Sequence, residues 1–312
     1  MARRSAAAAA GLALAIACAA CTAPGSRSPP APPSGPAVIT VGSFDFPESV
    51  LLAYLYAGAL SARGYLVRVL PDLGSRELVE PALITGLVQL VPEYTGSALE
   101  FVSLGQAHAT ASVTATAVAL ARWMAARGIV TARPAPAQDA NAIVVTATTA
   151  ARYRLRTISD LAGAAPGLVF GGPPECAERQ DCLPGLRRAY GVRFGGFAAL
   201  DAGGPLTRQA LESGDISVAL LFTTDPAITA DHLVDLADNR GLQPAENVVP
   251  VLRRATAGRY GAGLLAALDA VSARLSTAAL TALDAQVELN DRDPRAVAGS
   301  WLREQGLGRG AS

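Results

Sequence analysis

Short aliphatic runs alternate along the chain with longer stretches in which apolar side chains recur every three or four residues. The first pattern predicts buried strands and the second amphipathic helices. Residues 38–43 read as a strand, followed by the turn Phe44-Asp45-Phe46 and a helix from Pro47 through Leu60, which Gly64 ends. Pro47 suits a first helical turn, and Glu48 suits the positive end of the helix dipole. Residues 65–70 form a second strand. Ser75 caps a second helix whose inner face carries Leu78, Val79, Ala82 and Leu83, and Gly86 closes it. The run 87–91 is a third strand stopped at Pro92, and Thr95 and Ser97 are residue types that start helices. This β-α-β-α-β order predicts a parallel sheet covered by helices. Its polar turns, Ser43-Phe44-Asp45, Gly74-Ser75-Arg76 and Tyr94-Thr95-Gly96-Ser97, then fall along one sheet edge, where a ligand can be held.

The pattern repeats downstream. It predicts a helix over 112–127, a strand over 128–131, a proline-bearing crossing over 134–140 and a strand over 141–146. A helix start at 157–161 follows, then a strand at 168–172, a helix at 186–190, a strand at 197–200 and a helix at 205–213. The strand 216–222 is stopped by Thr223-Thr224-Asp225-Pro226. Runs at 233–236 and 247–252 read as strands returning to the first half, and helices at 263–275, 277–289 and 294–305 complete the chain. The expected organisation is α/β, with residues 38–138 plus 249–312 in one lobe and 139–248 in the other. Two lobes joined by two crossings imply a hinged cleft that closes on a ligand.

The N-terminal residues add a location. Arg3 and Arg4 precede an apolar run at 6–17, too short to span a membrane and flanked as in a signal peptide. Leu14-Ala15-Ile16-Ala17-Cys18 fits a bacterial lipoprotein box, with Cys18 as the lipidated residue and Cys21 as the second candidate. A plain secretory signal cleaved nearby is the other reading. With residues 1–21 as signal peptide, residues 22–37, rich in Pro, Ser and Gly, read as a flexible tether. The expected position is the extracytoplasmic face of the cell membrane, at the cell surface or in the periplasm, held by a lipid anchor.

The 26 basic and 26 acidic side chains balance, which gives no electrostatic case for a nucleic-acid partner. Every basic one is Arg. Cys176 and Cys182, close together in a Pro-rich loop of an exported chain, predict a disulfide. The two histidines, His108 and His232, have no ligand-like spacing to that pair, so neither a metal nor another cofactor is expected.

Val41-Gly42-Ser43 with Phe46-Pro47-Glu48, then Gly74-Ser75, Pro92-Glu93-Tyr94-Thr95-Gly96 and Thr223-Thr224-Asp225, in that order, resemble the periplasmic glycine betaine/choline/carnitine-binding proteins of osmoprotectant ABC transporters. The resemblance runs from about Val38 to Gln305. It implies a type II periplasmic-binding-protein fold, capture of a solute between two lobes, and delivery to a membrane permease and its ATPase. It also implies a cage of tyrosines around a trimethylammonium group, held by cation–π attraction. Tyr94 matches one cage tyrosine and Phe222 stands where another is usual. The remaining cage positions fall at Asp139-Ala140-Asn141 and at Glu246-Asn247, without an aromatic, and Arg76 replaces a small hydroxyl residue.

Carboxylates and amides at those positions suit a ligand that donates hydrogen bonds, and an Arg at a helix start suits a ligand carboxylate. The expected ligand is therefore a small zwitterionic or quaternary-ammonium solute, bound by a monomer. The candidate contacts are Ser43, Phe44, Glu48, Arg76, Tyr94, Thr95, Gly96, Asp139, Asn141, Phe222, Thr224, Asp225, Glu246 and Asn247. Plainer roles stand beside these: Arg76 pairing with Glu80, Glu93 holding its own turn, Asp225 capping the next helix, and Trp123 and Trp301 packing in helices. Neither His108 nor His232 sits in a triad context, so hydrolysis is the minor alternative and no enzyme is expected. A sensing or scaffold lipoprotein on the same clamshell is the other.

Overall fold

The computed structural model describes residues 38–308; the signal peptide, Cys18, Cys21 and the tether lie outside them. Two five-stranded sheets carry the fold. The first contains β1 (Ile39–Gly42), β2 (Val67–Leu70), β3 (Leu90–Tyr94), β4 (Ile129–Thr131) and β10 (Val248–Arg253), in the order β2-β1-β3-β10-β4. Its helices are α1 (Pro47–Ala62), α2 (Arg76–Thr85), α3 (Thr95–Ser103) and α4 (Val113–Ala125), with α10 (Arg254–Tyr260), α11 (Ala262–Ser272), α12 (Thr277–Glu288) and α13 (Pro294–Glu304) from the end of the chain. The second sheet runs β7 (Gly196–Ala199), β6 (Val169–Gly172), β8 (Val218–Phe222), β5 (Asn141–Val145), β9 (Val234–Asp235). Its helices are α5 (Ala147–Tyr153), α6 (Leu161–Ala164), α7 (Leu183–Gly185), α8 (Pro205–Ser213) and α9 (Ala227–Ala230). Among the described residues no single helix is long and apolar enough to cross a membrane.

Helix α1 organises the first core. It is apolar on nearly every side, as a helix enclosed by protein should be. Leu51, Leu52, Leu55, Tyr56 and Leu60 are fully buried, and α1 packs against β3, α11, α12 and α13. The Tyr56 hydroxyl meets the Ser272 hydroxyl at 3.0 Å, so its polar tip has a partner inside this helix bundle. Trp301 is buried in the same core, and Trp123 is partly buried against it.

Four expectations are corrected. The first sheet is mixed: β1, β2 and β3 are parallel, whereas β10 runs antiparallel between β3 and β4. Pro92 lies inside β3, facing Pro250 of β10. The Pro250 carbonyl points to its other neighbour, accepting from the Ala132 N–H at 2.8 Å. At that register β3 and β10 exchange no backbone bonds, so neither missing N–H is lost from the pairing of these two strands. The run at 233–236 does not return to the first sheet: β9 pairs with β5 in the second. Finally, α3 starts at Thr95 without a cap from Thr95 or Ser97; Tyr94 occupies the cap position and the capping carboxylate comes from elsewhere.

Cys176 and Cys182 are bonded, with Cα atoms 5.2 Å apart. The small loop they close leans on α7, where a Cβ added to Gly185 would lie 2.0 Å from the Gln180 carbonyl oxygen and 2.6 Å from the Leu242 side chain. Gly185→Ala should therefore destabilise the protein by about 1–3 kcal/mol, the usual cost of overpacking. Thermal or urea unfolding measures it, and an unchanged midpoint would refute the close approach.

Candidate functional site

The turns after β1 and β3, the start of α2 and the disulfide loop of the second sheet enclose a cavity of about 380 Å³. Four rings line it. Phe44 and Phe46 stack with centroids 5.8 Å apart, and Phe46 also lies 6.1 Å from Tyr94 and 5.2 Å from Phe222. Phe46 therefore bridges the two rings that the sequence pattern identifies, Tyr94 from one sheet and Phe222 from the other. It is the residue sequence reasoning misses. The signal was present as Phe44-Asp45-Phe46, two rings two positions apart in an extended turn, which point the same way.

Polar groups hold this wall from behind. The Tyr94 hydroxyl donates to Glu48 Oε1 at 2.5 Å, and the Thr224 hydroxyl donates to Glu48 Oε2 at 2.6 Å. Asp139 accepts from the Thr224 N–H at 3.1 Å and the Thr223 hydroxyl at 3.3 Å. Burial raises the Glu48 carboxyl above its ordinary range, against the pull of the Thr224 and Tyr94 hydrogen bonds. Burial, then the Glu48 charge, pushes the Tyr94 phenol well up, so it stays a donor.

Arg76 pairs with Glu93 rather than with Glu80. Its Nε donates to Glu93 Oε1 at 2.9 Å and its Nη2 to Oε2 at 3.0 Å, with both side chains buried. Its guanidinium also lies 5.1 Å from the Phe44 ring centroid. Burial opposes the Arg76 charge, and the Glu93 carboxylate more than offsets it. Glu80, beside them, is raised well above the carboxylate range by burial and then by Glu93. Glu93 also accepts from the Tyr94 N–H at 2.9 Å, the turn-holding role expected for it.

Of the candidate contacts, the cavity wall brings together Phe44, Arg76, Tyr94, Asp139, Asn141, Phe222 and Glu246. Ser43, Glu48, Thr95, Gly96, Thr224, Asp225 and Asn247 sit buried behind it. Ser43 is engaged in its own turn, donating to the Phe44 carbonyl and accepting from the Asp72 N–H. Thr95 donates to the Ala245 carbonyl and accepts from the Asn247 N–H, while Asn247 Nδ2 donates to the Ala135 carbonyl. Glu246 accepts from the Gly96 N–H at 3.0 Å and the Ser97 N–H at 2.8 Å, capping α3. Burial and then Asp181 push its carboxyl up to about 8. Asn141 Nδ2 donates to Asp181 at 3.2 Å, and Asp225 accepts from the Ala227 N–H at 2.8 Å, capping α9.

Two ion pairs cross between the sheets' helices and loops. Arg179 of the disulfide loop meets Glu77 of α2 at 3.1 Å, and Arg208 of α8 meets Glu288 of α12. Nothing in local sequence pattern marks either pair, because each joins residues far apart in the chain.

The family model described as substrate binding domain of ABC-type glycine betaine transport system matches residues 37–304. A glycine-betaine-binding protein of Pseudomonas aeruginosa is 29% identical over 280 residues, covering 86% of this chain and 88% of that protein. The glycine betaine-binding protein YehZ of Escherichia coli is 26% identical over 277 residues, covering 86% and 90%. Among solved structures, a glycine betaine/carnitine/choline ABC transporter chain superposes with a TM-score of 0.68 at 22% identity, covering 86% of this chain and 99% of that one. The fold is that of type II periplasmic binding proteins.

Removing one member of a buried pair strands the other. Arg76→Ala should cost about 3–5 kcal/mol of folding stability, read by urea unfolding. A cost below about 1 kcal/mol, the range of exposed pairs, would mean that the pair is solvated.

Proposed function

The chain belongs to the family of substrate-binding domains of ABC-type glycine betaine transport systems, and we propose that its cleft captures a small quaternary-ammonium solute of the choline or glycine betaine kind. The four-ring wall of Phe44, Phe46, Tyr94 and Phe222 carries this reading. A cation with no hydrogen to donate gains from ring faces and loses least on leaving water. The amide donors and the carboxylate that a hydrogen-bonding ligand would use are engaged elsewhere: Asn247 Nδ2 on a carbonyl, Glu246 on N–H groups of α3, Asn141 Nδ2 on Asp181. Where the solute carries a carboxylate, Arg76 Nη1, which donates to no described residue, and the half-buried Arg179 are the groups to meet it.

Substrate-binding proteins of ABC transporters bind small solutes and work with permease and ATPase components, and the family is extracytoplasmic. It is a solute-binding family rather than an enzyme family. The finer reading is a monomer with a lipid anchor at Cys18 or Cys21, no chemistry of its own, and lobes of 38–138 plus 249–312 and of 139–248. Binding acts by shifting an open–closed equilibrium toward the closed form.

Titration calorimetry with choline, glycine betaine and a neutral tert-butyl analogue of choline tests the ligand class. The two cations should bind and the neutral analogue should not. Phe46→Ala and Phe222→Ala should each weaken binding roughly threefold to thirtyfold, the span of one cation–π contact. Equal binding of the neutral analogue, or affinities untouched by both changes, would overturn the reading.

A further inference from the structure

Behind the ring wall three carboxyl groups share one dry space. Glu48 starts α1, Asp139 lies in the crossing to the second sheet, and Asp284 belongs to α12; they are 4%, 5% and 1% exposed. Glu48 and Asp139 receive the hydroxyl and N–H donors of Tyr94, Thr223 and Thr224. Asp284 receives none: neither of its oxygens accepts a hydrogen bond from any described residue. Its neighbour is Glu48, another acceptor. Three ionised carboxylates cannot coexist here, because each would be desolvated and repelled by the others. A proton on Asp284 or Glu48 turns the clash into a hydrogen bond between them. Among the described residues no group of His, Cys, Asp or Glu is arranged to hold a metal ion in the protons' place.

The cluster also joins the two halves. Glu48 and Asp284 sit on helices of the first core, while Thr224 follows β8 of the second sheet. The Thr224 hydroxyl on Glu48 and its N–H on Asp139 are direct ties across the crossing. The other charged groups facing the cluster are Glu288 of α12, with Asp225 after β8 and Arg208 of α8 beyond it. Arg208 is paired to both of those acids, and among the described residues no ion pair reaches the three carboxyls.

We infer that Glu48, Asp139 and Asp284 form a proton-dependent latch, in which Glu48 positions the Tyr94 ring and fastens Thr224 only while the cluster holds its protons. Ligand affinity and lobe closure then depend on pH, a property beyond solute capture itself. Burial first, then the Glu48 charge, raises Asp139 and Asp284 well above the carboxylate range, and burial raises Glu48. Glu288 is pushed up to about 7, by burial first. Raised carboxyls mean that the closed form binds more protons than an opened, hydrated one. Closure is thus fully favoured at acid pH and loses ground as pH rises from the ordinary carboxyl value of about 4 toward the raised ones.

Small-angle scattering of the ligand-free protein reads closure without assuming any ligand. The radius of gyration should grow in the wild type as pH rises above about 4, where linkage begins to drain the cluster's protons, and on past the value of about 7 to which Glu288 is raised. Glu48→Gln keeps an acceptor for Tyr94 and cannot ionise; Asp284→Asn supplies a donor to Glu48. Each should flatten that dependence, and one suffices if the other fails to fold. In parallel, choline affinity should fall by up to roughly tenfold per pH unit over that rise in the wild type, one proton's worth, and stay more level in the variants. A radius independent of pH in the wild type, or variants with the wild-type slope, would overturn the latch. A wild type that closes with pH but ignores choline would instead overturn the quaternary-ammonium reading and leave the latch standing.

Discussion

The 2.5 Å hydrogen bond from the Tyr94 hydroxyl to Glu48 is the constraint on which the site depends. A tyrosine can present its ring to a cavity only if its polar tip is satisfied on the other side. The carboxyl that satisfies it must be near, buried and fixed. The first turn of α1 provides all three, because the helix behind it is locked into the core by Leu51, Leu52, Leu55 and Leu60. The dipole of that helix favours the acid at its start. The second Glu48 oxygen then takes the Thr224 hydroxyl, so the same carboxyl that sets a ring of the wall also ties the second sheet to the first. Core packing, cavity shape and lobe contact meet in one residue.

The crossing that returns to the first sheet is fixed by a similar economy of donors. Helix α3 begins with orphan N–H groups, as every helix does. Thr95 and Ser97 are the right residue types to cap it, but their hydroxyls face the returning chain at Ala245 and Glu246. The cap comes instead from Glu246, 150 residues away along the chain. The consequence is mechanical. The segment that re-enters the first sheet as β10 is bonded to the helix start it passes, which holds Ala245 and Glu246 to the first half.

What was legible in the sequence follows from this. The strands and helices of both halves, and the three polar turns on one edge, depend on local periodicity and could be read. Pro92 could not be placed, because whether a proline breaks a strand depends on the register of a partner, here Pro250. The destination of β9 depends on which long-range pairing forms, and a two-residue strand carries too little pattern to say. Arg76 looked like a ligand anchor because its partner, Glu93, lies on another element. Phe46 was passed over because the direction of a turn side chain is set by the fold. Its stacking on Phe44 makes the wall more aromatic than the positions of Tyr94 and Phe222 alone imply.

A cleft that must open and close distributes its ion pairs unequally, and the distances here show that division. The bidentate Arg76–Glu93 pair, with side chains 7% and 0% exposed, lies wholly within the first half. Breaking it would strand a buried charge, so it belongs to the frame and not to the moving contact. Across the cavity mouth the pair is Arg179–Glu77, with side chains 30% and 45% exposed. Such a pair contributes about 0–1 kcal/mol and is readily exchanged for water or for an anionic group of a ligand. Arg208, between Asp225 and Glu288, is intermediate in burial, at 12% exposed. Burial of these pairs therefore falls from the frame of the first half to the cavity mouth.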